Sequence, residues 1–205
     1  ALRRVHGGAI SAASRSYEPP VALRAGRQRD AKARIGRLAA SLLSQGDTAV
    51  IDVGSTPLEV ARSLPNAEGL TILTPSLRVA EELADNARVR LIVTGGVARP
   101  GELSLVGDLA ERTFDDLHAD VVFLGVGGVD RIGLTEYNLE DARVKRAALR
   151  SARRCVVVAD ASKLACVAFA RVCPLDRVEV LVTDSAADPG ALEPIRDAGV
   201  EVLIA

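Results

Sequence analysis

A carboxylate, a glycine, two hydroxyls and a proline follow one another in Asp52-Val-Gly-Ser-Thr-Pro-Leu-Glu59, directly after the apolar run 48–51. Read as a strand-to-helix turn, this stretch sets Thr56 as the N-cap and Pro57 at the first helical position, where a missing N–H costs nothing. Glu59 then stands third and completes a capping box. Gly54 and Ser55 occupy the turn. Backbone N–H groups, two hydroxyls and the positive end of a helix converge there, and such a point attracts anions, phosphate above all. Ordinary capping is the competing account of the same residues.

Other strand ends carry similar chemistry. The run 70–74 ends in Thr74-Pro75-Ser76, with Ser76 placed to cap the next helix, and the run 89–93 ends in Thr94-Gly95-Gly96. The spacing from Gly96 to Gly101 mimics a phosphate-binding Walker loop, but Glu102 stands where that loop needs lysine. Gly125-Val-Gly-Gly-Val-Asp130 is not a dinucleotide fingerprint, because Asp130 fills a position that requires glycine or alanine. Beyond it lie Glu140, Asp141 and Lys145. Asp141 and Lys145 are four apart with the acid first, the favourable order for a surface ion pair. The functional alternative has Asp130, Glu140 and Lys145 facing the strand ends as contacts for a hydroxylated ligand. Asp160-Ala-Ser162-Lys163 adds a further hydroxyl and ammonium.

These residues need elements to position them. Apolar runs predict strands at 48–53, 70–74, 89–93, 120–125, 155–159, 179–183 and 201–204. Helical periodicity predicts helices at 31–44, 57–64, 76–85, 104–117, 138–152 and 190–198. Alternation of this kind means an α/β fold with a mostly parallel sheet covered on both faces, and ligands bind at the carboxyl ends of such strands. Only 2 % of the 205 residues are aromatic, so the core is built from Ala, Val, Leu and Ile. No apolar run approaches the roughly 20 residues of a membrane helix, and no signal peptide is apparent. Cys155, Cys166 and Cys173 lack any C-x-x-C pairing, and with His6 and His118 they offer no metal constellation. Idle thiols of a cytoplasmic protein, without metal or cofactor, are the expectation.

Charge divides the chain. Residues 1–34 carry eight basic and two acidic residues, +6, and the remainder eighteen basic and twenty-five acidic, −7. We read residues 1–30, with Gly7-Gly8 and Pro19-Pro20, as a basic linker, and residues 31–205 as the ligand-binding α/β domain. The chain contains no methionine, even at position 1. The expectation is a fragment of a longer protein.

The ordered set of motifs resembles the effector-sensing domain of the DeoR family of bacterial transcriptional regulators. Val5-His6-Gly7-Gly8-Ala9 resembles the segment that follows the family's N-terminal helix-turn-helix. Asp52 to Thr56, Thr74 to Ser76, Gly95-Gly96, Ser104 to Gly107, Gly125 to Asp130, Gly133 to Thr135, Glu140 to Lys145 and Asp160 to Lys163 follow in the family's order. Pro75 departs from it, standing where the family usually has asparagine. The resemblance implies a three-layer fold shared with ribose-5-phosphate isomerase and glucosamine-6-phosphate deaminase. It implies a phosphorylated sugar or related intermediate as effector, with the phosphate on Gly54, Ser55 and Thr56 and with Lys145 or Lys163 adding charge. Asp52, Thr74, Ser76, Gly95, Gly96, Gly125, Asp130 and Glu140 would line the sugar end. It further implies a repressor of sugar-metabolism genes that meets operator DNA through a helix-turn-helix preceding this chain, as a dimer or tetramer.

An enzyme of the isomerase or deaminase class is the alternative, since proton shuttling between adjacent carbons needs a poised base such as Asp130 or Glu140. The His6-Gly-Gly leader favours the sensor.

Overall fold

A computed structural model describes residues 2–5, 8–11, 16, 26, 28–64 and 69–205. Two short strands come first, Leu2–Val5 (β1) and Gly8–Ser11 (β2), paired antiparallel with Val5 opposite Gly8. They stand in the segment read from sequence as a linker, where too few apolar residues recur to signal a strand. Pro19-Pro20 lies outside the described residues.

The main body alternates as expected. Helix α1 (Arg29–Ala40) leads to β3 (Thr48–Ile51), α2 (Ser55–Arg62), β4 (Leu70–Thr74), α3 (Leu77–Leu83) and β5 (Val89–Val93). A short hairpin, β6 (Val97–Ala98) and β7 (Leu105–Val106), precedes α4 (Asp108–Arg112) and β8 (Ala119–Leu124). Then come β9 (Gly128–Asp130), β10 (Gly133–Glu136), α5 (Leu139–Ser151), β11 (Ala152–Val158), β12 (Ala170–Cys173), β13 (Val180–Thr183), α6 (Pro189–Asp197) and β14 (Glu201–Ile204). Seven strands form one all-parallel sheet in the order β14-β13-β11-β8-β3-β4-β5.

Alternate residues of the central strands feed two cores. Ala49, Ile51, Val121 and Phe123 pack with Ile35 of α1, Val60 of α2 and Val79 of α3. Val50, Val122 and Leu124 pack with Ala110 of α4, Ala147 of α5 and Ile195 of α6 on the other face. Three layers result, because a sheet apolar on both faces has to be covered on both.

Two sequence expectations fail. The helix expected at 104–117 is cut to five residues, Asp108–Arg112. Gly107 turns at φ +90° to start it, and Leu105-Val106 instead pair with β6 while the Leu105 N–H donates to the Pro75 carbonyl at 2.7 Å. Strands β9, β10 and β12 form a small antiparallel sheet in the order β12-β10-β9 that the sequence reading lacked. Their glycines and polar residues look like loop until the register brings them together.

Candidate functional site

The chain runs β3-β4-β5 towards one edge of the sheet, then returns to place β8 on the other side of β3. That reversal opens a crevice at the carboxyl ends of β3 and β8, the usual position for a ligand in an open parallel sheet. A cavity of about 490 Å³ lies there. Asp52 follows β3, Gly125 follows β8, and the N-terminus of α2 opens into the space between.

Helix α2 begins two residues earlier than the sequence suggested. Gly54 is the N-cap at φ +124°, no side chain caps the helix, and Ser55 and Thr56 are its first two residues. Thr56 is therefore not the cap, and the capping box does not form. Glu59 pairs instead with Arg62, one turn on, at 2.7 Å. A glycine at positive φ enters the helix directly, so Ser55 and Thr56 fall into the first turn, and both line the cavity with Gly54. The helix's first N–H groups are left to a ligand or water.

A buried charge cluster forms the floor. Lys145, 1 % exposed, reaches from α5 to the Asp52 carboxylate, to Glu136 Oε2 at 3.3 Å and to the Gly125 carbonyl at 2.9 Å. The Gly125 N–H donates to Asp52 Oδ2 at 3.0 Å. Burial alone would pull the Lys145 ammonium below its ordinary pKa, but the two carboxylates outweigh it and hold the group above that value. Burial also pushes the Asp52 carboxyl up, against the pull of Lys145. Since two donors converge on Oδ2, Asp52 serves as an acceptor, and the charged pair is the state the hydrogen bonds require. Asp141 and Lys145 do not form the surface pair their spacing suggested. Both are buried, and Asp141 pairs with Arg99 Nη2 at 2.5 Å.

The wall comes from three further elements. Asp160, after β11, is 3.7 Å from Lys32 Nζ of α1 and accepts from the Ser162 N–H at 3.1 Å. Lys163 sits 5.2 Å from the ring centroid of Tyr137, within cation–π range. Glu102, buried, enters from the loop between β6 and β7.

Of the residues singled out from sequence, the fold brings Asp52, Gly54, Ser55, Thr56, Gly125, Lys145 and Lys163 to this place. It does not bring the others. Thr74 is fully buried and donates its hydroxyl to the Ile51 carbonyl at 2.6 Å, and Ser76 caps α3 by accepting from the Val79 N–H. Gly95 and Gly96 lie against α4 and β7, where a Cβ on Gly96 would meet the Val106 carbonyl at 2.6 Å. Asp130 accepts from the Ile132 N–H in the β9-β10 turn, and Glu140 is exposed in the first turn of α5. Helical phase explains Glu140: Asp141 and Lys145 face inward, so the preceding residue faces out. Pro75 is also outside the lining, so its departure from the family pattern removes no contact there.

Sequence reasoning missed Lys32, Glu102, Glu136, Tyr137, Asp141 and Asp160 as lining residues. Lys32 entered only the charge count of residues 1–34, and Glu102 only as the mark against a Walker loop. Among the described residues no group of His, Cys, Asp and Glu is arranged to hold a metal, and no helix is long and apolar enough to cross a membrane.

Residues 27–185 match the family model of the DeoR C-terminal sensor domain. The chain belongs to that family. The DeoR-type relatives are regulators rather than enzymes. A transcriptional regulator of Listeria innocua, GolR, is 29 % identical over all of this chain and 81 % of its own length. The glycerol-3-phosphate regulon repressor of Escherichia coli K12 is 30 % identical over 98 % of this chain and 80 % of its own. A solved D-ribose-5-phosphate isomerase in complex with phospho-erythronic acid aligns with TM-score 0.50 and 13 % identity over 66 % of this chain. The chain spans about half of that enzyme, 53 %, and the likeness is one of fold. The three-layer architecture expected from the DeoR resemblance is thus the one observed, and the family places the chain as the sensor domain of a transcriptional regulator.

Proposed function

We propose that the cavity binds a phosphorylated sugar or related polyol phosphate, and that this binding sets the operator affinity of the whole regulator. The observation that carries the reading is the uncapped N-terminus of α2, where Gly54, Ser55 and Thr56 open into the cavity. Free N–H groups, two hydroxyls and the positive end of the helix dipole suit a phosphate. Lys163, in the cavity wall, adds positive charge, and the carboxylates of the floor suit hydroxyl groups. The relative named for a glycerol-3-phosphate regulon supports the same chemical class. In this reading residues 1–30 link the sensor, residues 31–205, to a helix-turn-helix outside this chain. The regulator then meets paired half-sites as a dimer or tetramer.

Thermal melting tests the reading. A sugar phosphate present at 100 times its dissociation constant stabilises by about 2.7 kcal/mol, which raises Tm by roughly 5–10 °C for a domain of this size. Ribose 5-phosphate, glucose 6-phosphate and glycerol 3-phosphate are the first ligands, and their unphosphorylated parents are expected to leave Tm unchanged. Equal shifts from sugar and sugar phosphate sink the phosphate assignment.

The double substitution Ser55→Ala, Thr56→Ala should weaken binding by about 100-fold or more, since each hydroxyl lost to a charged partner costs about 1.5 kcal/mol or above. Neither hydroxyl caps the helix, so stability should change by only about 1 kcal/mol. Wild-type affinity in the folded double variant, measured by titration calorimetry, means the phosphate lies elsewhere.

A further inference from the structure

Asp141 has one oxygen too many for its surroundings. The side chain is 3 % exposed and lines the cavity. Its Oδ2 is engaged by Arg99 Nη2 at 2.5 Å, whereas Oδ1 has no hydrogen-bond partner among the described residues. A buried acceptor left unmet is costly, and a carboxylate in this setting can take several donors. Because the Arg99 guanidinium already balances the charge, the vacant oxygen calls for a neutral donor rather than a second cation.

Arg99 is itself held in place by the loop that carries it. Its Nε lies 3.4 Å from Ser104 Oγ, and its backbone N–H donates to the Ser104 carbonyl at 2.8 Å. Leu103 closes this loop at φ +60°, a left-handed conformation rare for a leucine. Glu102, one residue earlier, enters the same cavity. The loop between β6 and β7 thus both aims Asp141 and supplies a second carboxylate.

We propose that Asp141 is a specificity-determining residue, whose Oδ1 accepts a hydrogen bond from a hydroxyl on the part of the ligand away from its phosphate, with Arg99 as its positioning residue. The proposal rests on the phosphate reading of the α2 end. It adds that the regulator distinguishes polyol phosphates by hydroxyl pattern, and that the two ends of the ligand are read by different groups.

A cycle between variant and ligand tests it, by titration calorimetry on the 205-residue chain. The probes are inorganic phosphate, ribose 5-phosphate, fructose 6-phosphate and glucose 6-phosphate, followed by the monodeoxy analogues of the tightest sugar phosphate. On the wild type, one deoxy analogue should bind about 10- to 100-fold more weakly than its parent, the range for a hydrogen bond to a charged group. On Asp141→Asn the parent should weaken by a similar factor. The Arg99 fork takes the amide oxygen and turns the NH2 to the ligand, replacing an acceptor with a donor. That same deoxy analogue should then show no further loss, and inorganic phosphate should bind both proteins alike. Asp141→Ser is the second variant, read in the same cycle should the asparagine variant fail to fold. Additive losses from variant and analogue, or equal weakening of inorganic phosphate, overturn the role of Asp141 while leaving the phosphate site standing. Inorganic phosphate bound with no sugar phosphate preferred over it also overturns that role. Failure of every phosphate to bind the wild type removes both readings.

Discussion

Replacing Lys145 with methionine should lower the unfolding free energy by about 3–5 kcal/mol, the cost of stranding a buried charge. For a domain of this size that is roughly 6–20 °C in Tm. The ammonium is the shared partner of Asp52 and Glu136, which are 1 % and 5 % exposed. Methionine keeps the volume of the stem and removes the charge, so the deficit isolates electrostatics from packing. The loss should depend on pH with a definite sign. Without the ammonium, both buried carboxyls acquire pKa values above those of the unfolded chain, so the variant gains relative stability as pH falls from 7 towards 4. In the wild type the Lys145 pKa is raised, so its stabilisation is complete below the unfolded lysine value of about 10.4 and is lost only above it. Urea unfolding at pH 7 and pH 5 gives both quantities. A variant as stable as the wild type at pH 7 means the cluster holds neither the fold nor the floor of the cavity.

Gly36→Ala should cost about 2–3 kcal/mol, at the upper end of what overpacking usually costs. Gly36 faces α2, and a Cβ there would stand 2.5 Å from the backbone carbon and oxygen of Glu59. Backbone cannot rotate away as a side-chain tip can, so α1 and α2 would have to separate. Alanine is the better helix former, so propensity alone predicts the opposite sign. The shift would also move the α2 N-terminus with Ser55 and Thr56. A folded Gly36→Ala protein should therefore bind sugar phosphates more weakly although residue 36 lies outside the cavity lining. Denaturant melts and titration calorimetry on one preparation check both effects. Stability equal to the wild type means the two helices tolerate the separation.

Much of the sheet was legible in the chain itself. Seven apolar runs rich in Val, Leu and Ile became the seven parallel strands, because burial on both faces demands unbroken apolar sequence. The Gly54 to Thr56 turn was readable for a similar reason, since its chemistry is local: a glycine, two hydroxyls and a helix start adjoin in sequence. The small sheet β12-β10-β9 was not readable. Its β10-β12 pairs, such as Leu134 with Cys173, join residues almost forty apart, and nothing in either segment names the other.

The same distinction divides the site. Sequence by itself determined which residue types stand at the strand ends and where a glycine, two hydroxyls and a helix start adjoin. Tertiary structure decided the partners. Lys145 meets Asp52, 93 residues away, because β3 and β8 are neighbours and α5 packs behind them. Arg99 takes Asp141, so the pairing four residues apart on α5 gives way to contacts that desolvation makes stronger. Thr74 and Ser76, which carried ligand chemistry on paper, spend their hydroxyls on the backbone of β3 and the cap of α3. A hydroxyl or carboxylate is free for a ligand only after the fold has met its own buried polar groups, and that accounting is a property of three dimensions.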